Sequence, residues 1–85
     1  MPPPWGRMQL NRANAPFDVK VRLALRVRAL RHTRGWSQEV LAELASLHRN
    51  YIGHVERGEV TPGLTNLEAL ARAFDLSLSD LMDGV

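Results

Sequence analysis

Arg49, Asn50, His54 and Arg57 bring two guanidinium groups, a carboxamide and an imidazole into nine residues, and all four can make directed hydrogen bonds to a polar partner. On a helix advancing about 100° per residue, with Arg49 at zero, Asn50, Gly53, His54 and Arg57 fall at about 100°, 40°, 140° and 80°. They share one arc. Ile52 and Val55, near 300° and 240°, point the other way, toward a core. Glycine costs about 0.5–1 kcal/mol inside a helix relative to alanine, so Gly53 at the centre of the arc implies a close approach to the backbone there. A solvated face carrying a chance glycine is the plain alternative, and the arc alone does not decide between them.

The flanking residues supply the helix that this arc requires. Ser37 is a good N-cap for a run from Gln38 to Ala45, rich in helix formers, with Leu41 and Ala45 four residues apart. A tight Ser46-Leu47 turn leads into a second helix, expected over 48–57, and Gly58 suits the left-handed exit from it. Upstream, a helix begins near Asp18 and ends at about Thr33, before Arg34-Gly35, with Leu23, Val27 and Leu30 as its core stripe. Downstream, Pro62 and Gly63 punctuate a loop. A helix from about Leu64 to Phe74 then buries Leu67, Leu70, Ala71 and Phe74, and Ser77 with Asp80 starts a short last helix, Leu78 to Met82. No strand is predicted. The fold class is all-α, with residues 17–85 as one domain. Residues 1–16, with four prolines and no periodicity, are expected to form a flexible arm.

Eighty-five residues at 45% hydrophobic content close one modest core, and chains this small often gain stability by dimerising. Without cysteine, neither disulfides nor thiolate metal sites contribute. No apolar run approaches the roughly 20 residues needed to span a membrane and no signal-peptide pattern is visible, so a cytoplasmic protein is expected. The net charge of +2 hides a strong polarity. Residues 1–36 hold eight basic groups against Asp18 alone; residues 37–60 hold two arginines against four glutamates, and residues 61–85 one arginine against four acids. Such a split favours an electrostatic footprint on one side. Arg22 and Arg28 read as solvated helix formers. His32, His48 and His54 form no HExxH pair, no glycine-rich phosphate loop follows a strand, and no metal or cofactor site is expected. Catalysis is disfavoured.

The segments RALRHTRGWSQEVLAELA, SLHRNYIGHVERG and TPGLTNLEALARAFDLSLSDLM together resemble the helix-turn-helix of the Cro and phage-repressor family, the xenobiotic-response-element type, between Arg28 and Met82. HRNYIGHVERG is also similar to the small controller proteins of restriction–modification systems. The resemblance implies a compact five-helix bundle of the lambda-repressor-like DNA-binding type. It implies, too, a sequence-specific transcriptional regulator, a homodimer that sets two recognition helices in successive major grooves of a near-palindromic operator.

On that reading Arg49 and Asn50, at the start of the recognition helix, meet base edges, Arg suiting guanine and Asn adenine, with His54 a third base reader. Gln38 matches a family position that binds phosphate; Tyr51, Arg57 and Arg34 are weaker phosphate candidates, Tyr51 being half core. Glu56, at the edge of the buried face, needs a cation inside the protein, and the resemblance makes Arg31 its partner. Val40 and Leu44 stand where the family usually has polar residues, and Ser46 where it has a turn glycine. Two other roles use the same fold. An antitoxin-like protein-binding module would want an amphipathic tail that residues 1–16 lack. RNA binding would want exposed aromatics for stacking, and the chain has one tyrosine.

Overall fold

The computed structural model describes residues 18–85, and the arm expected at residues 1–16 lies outside them. Five helices follow one another: α1 Val19–Thr33, α2 Gln38–Ala45, α3 Arg49–Glu56, α4 Leu64–Ala73 and α5 Leu78–Leu81. No strand occurs among the described residues.

Four of the five helix starts follow from a side chain that accepts an otherwise orphaned amide; α4 starts after Gly63 without one. Asp18 accepts from the amides of Lys20 and Val21, Ser37 from Val40, and Ser77 from Asp80. At α3 the cap is His48, whose Nδ1 accepts from the Asn50 amide at 3.1 Å. The helix expected over 48–57 is therefore shorter by one residue at each end, since His48 and Arg57 are its caps. Likewise Phe74 and Met82 close α4 and α5 rather than belonging to them.

Helices α1 to α4 leave in one manner. Gly35, Ser46, Gly58 and Asp75 adopt positive φ, and the following residue donates back to the carbonyl five positions earlier, as Leu47 does to Ala42 at 2.9 Å and Glu59 to His54 at 3.0 Å. Ser46, at φ 55°, thus makes the left-handed turn that a glycine would make without strain. Ser46→Gly is expected to stabilise the domain by about 0.5–1 kcal/mol, raising Tm by about 2–6 °C in a thermal melt.

Val27, Leu41, Ile52, Val55, Leu70, Phe74 and Leu81 are fully buried, each worth about 1.5–3 kcal/mol of transfer free energy. Leu30 and Leu67 are half-buried at the rim of this core, and Ala24 joins it. α3 packs against α1 and α2, and α4 against α2 and α5. Val21, off the expected core stripe, is half-buried, with Cγ2 3.3 Å from where a Cβ on Gly58 would stand. Leu25, Val40 and Leu44 are exposed. Arg26 fastens the end of α5 to α1, donating from Nε to the Leu81 carbonyl at 3.1 Å and from Nη2 to that of Asp80 at 2.8 Å. The Asp80 carbonyl also accepts from the Asp83 amide at 3.2 Å.

Candidate nucleic-acid interface

One planar group holds α3 to the body. Arg31 donates from Nε to Glu56 Oε2 at 2.7 Å, from Nη2 to Glu56 Oε1 at 2.9 Å and from Nη1 to the Trp36 carbonyl at 2.8 Å. Glu56 is 4% exposed, and Gln38 adds a third donor, Nε2 to Oε1 at 3.1 Å. Burial alone would push the Glu56 carboxyl up; the hydrogen bonds from Arg31 and Gln38, with the Arg31 charge, outweigh it and hold the carboxyl below its ordinary value. The hydrogen bond to Glu56 raises the Arg31 guanidinium, against its own burial. Removing Glu56 from the outward arc also removes the one acidic residue of α3 that would repel phosphate.

With Ile52, Val55 and Glu56 buried, α3 turns Arg49, Asn50, His54 and Arg57 to the exposed side. Asn50 has no side-chain partner among the described residues. Arg49 Nε lies 3.5 Å from Glu39 Oε1 of α2, both groups more than half exposed, a pairing worth little that a ligand can displace. The close approach to Gly53 comes from inside the protein: a Cβ there would stand 2.9 Å from Arg57 Nη1, so the Arg57 side chain lies back along the helix over the glycine.

The expected phosphate candidates are dispersed. The Gln38 amide is turned to Glu56 rather than outward. Tyr51 is half-buried against the core. Arg34 is exposed, its guanidinium carbon 5.4 Å from the ring centres of both Trp36 and Phe74, which are themselves stacked at 5.4 Å. Sequence reasoning missed Glu59. Its Oε1 accepts from Arg57 Nε at 3.1 Å and lies 2.8 Å from His54 Nδ1. The His54–Glu59 spacing of five residues spans a helix end, where periodicity carries no signal. Among the described residues there is no cluster of metal-ligating side chains.

A tight left-handed turn between two short helices, the second of which buries its apolar face and presents a polar, cationic one, defines a helix-turn-helix domain of the lambda-repressor-like type. A helix-turn-helix family model matches residues 27–81, and the chain belongs to that family. It is 46% identical over 66 residues to the control protein C.SmaI of Serratia marcescens, covering 78% of this chain and 79% of that protein. The control protein C.BamHI of Bacillus amyloliquefaciens is 34% identical over 67 residues, 78% of this chain and 83% of its own length. Among solved structures, the restriction-modification controller protein C.AhdI from Aeromonas hydrophila superposes with a TM-score of 0.71 at 44% identity, over 73% of this chain and 94% of that one. These relatives are named as regulators, not as enzymes.

Proposed function

We propose that the protein is a sequence-specific, double-stranded DNA-binding transcriptional regulator whose α3 enters the major groove. One observation carries the reading: α3 buries its only carboxylate against Arg31 and leaves Arg49, Asn50 and His54 exposed along one arc. Arg49 reads guanine through its O6/N7 pair, Asn50 reads adenine through N6/N7, and His54 reads a third base one turn on. The α2 N-terminus with Gln38, and then Tyr51 and Arg34, contact phosphates; Arg57, paired with Glu59, is a phosphate contact only where that carboxylate releases it.

Such a domain works as a homodimer, its two α3 helices about 34–36 Å apart on a near-palindrome. It acts in the cytoplasm, and no helix among the described residues is long and apolar enough to cross a membrane. The relatives named as control proteins favour a role in regulating a small set of genes, restriction–modification genes among them.

Selection of bound sites from random duplexes tests this directly. A two-fold-symmetric consensus with half-sites one helical turn apart is the expected result. Recovery of unselected duplexes would overturn sequence specificity, and a single unrepeated site would overturn the dimer.

A further inference from the structure

Glu59 stands outside the polar arc, yet two residues of that arc are bound to it. A carboxylate can only accept, so the 2.8 Å contact places a proton on His54 Nδ1. Arg57 Nη2, 3.2 Å from the same nitrogen, is then a packed neighbour rather than a donor to it. Nε2, on the far side of the ring, has no partner among the described residues. Glu59 does not arrive there on a loose loop: Gly58 turns at φ +70° against Val21, and the Glu59 amide donates to the His54 carbonyl at 3.0 Å. Hydrogen bonds from His54 first and Arg57 second hold the Glu59 carboxyl below its ordinary value.

We propose that Glu59 is a positioning and specificity-determining residue of the DNA-reading surface, fixing the His54 tautomer so that Nε2 meets the base edge as an acceptor, and offsetting the Arg57 charge. The inference rests on the DNA-binding reading and narrows it. A neutral ring with Nδ1–H presents a lone pair at Nε2, and its complement in the major groove is an exocyclic amine, adenine N6 or cytosine N4. Arg57, with Nε on Glu59 and Nη1 over Gly53, is restrained from binding phosphate of any sequence. The carboxylate itself repels the backbone. Both effects weaken indiscriminate binding more than binding to the correct site.

The test uses the full chain, Glu59→Gln and Glu59→Ala. In the free protein, long-range proton–nitrogen NMR at a pH where the imidazole is neutral should find His54 as the Nδ1–H tautomer, shifting toward Nε2–H in both variants. A wild-type Nε2–H tautomer overturns the proposal. On DNA, Glu59→Gln should bind a random duplex about threefold tighter or more, with a salt slope steeper by about 1 as Arg57 gains a phosphate. It should also lose preference at one base pair in each half-site of the selected duplex. That loss should vanish in a His54→Ala background; its persistence there, or an unchanged slope and preference, overturns the proposal. Wild-type protein without any duplex selectivity sinks the DNA-binding reading as well, whereas a selective wild type with indifferent Glu59 variants sinks only this inference.

Discussion

Glu56→Gln is expected to lower Tm by about 10–20 °C, corresponding to roughly 3 kcal/mol in a domain of this size. The carboxylate accepts three hydrogen bonds, two of them from one guanidinium, at a position 4% exposed. An amide in its place offers one acceptor atom instead of two and presents two donors to a group that has only donors. Arg31 keeps the Trp36 carbonyl but loses its counter-charge in a half-buried site. An exposed pair of the same length would cost less than about 1 kcal/mol, so an unchanged melting temperature would show that burial does not govern this contact.

The same carboxylate sets an acid limit. Its folded pKa is depressed below the unfolded value of about 4.3, so its contribution is complete above that pH and is lost as pH falls through the folded value. Wild-type Tm should therefore decline below about pH 4.3, and Glu56→Gln should show a flatter acid limb. Glu59, also depressed by its partners, is about half exposed and adds little to that limb.

The second large effect concerns DNA. Asn50→Ala should weaken binding to the selected duplex by roughly 5- to 150-fold, the equivalent of about 1–3 kcal/mol for one bidentate base contact. Its affinity for random duplex and its salt slope should not change, because the carboxamide carries no charge. Arg49→Ala should show a similar loss on the selected duplex together with a smaller loss on random DNA, one cation having been removed. The Arg49–Glu39 pairing does not protect the free protein from this change, since both groups are more than half exposed. Titrations of both variants against both duplexes check the contrast. Equal losses on the two duplexes would mean that these side chains touch only the backbone of the nucleic acid.

Much of the architecture was legible because the helix ends carry ordinary signals. Asp18, Ser37 and Ser77 are preferred N-cap types, and Gly35 and Gly58 are preferred exits. The start of α3 was misplaced by one residue because a histidine does the capping, using a ring nitrogen in place of a hydroxyl or carboxylate oxygen. The outward arc was legible from its 3.6-residue period. The Arg31–Glu56 contact was not, from pattern alone; an unpaired acid at the edge of a buried face asks for a cation without naming it, and only family likeness pointed to Arg31. Two side chains left no trace in the pattern. Arg26 binds carbonyls more than fifty positions away, and Glu59 reaches back across a helix terminus. Gln38 shows a limit of another kind: its helix position was readable, but the direction of its amide depends on which acceptor lies nearest.

The link between α2 and α3 has three residues and none is spare. Ser46 takes the left-handed turn, Leu47 sends its side chain to the core, and His48 caps the next helix. Inserting or deleting one residue there would separate the left-handed turn, the core anchor and the cap, and α3 would no longer be held in its present seat on α1 and α2. The length of this segment is therefore as strictly constrained as any side chain in the molecule, and variation among functional descendants of this chain must come by replacement here, never by change of count.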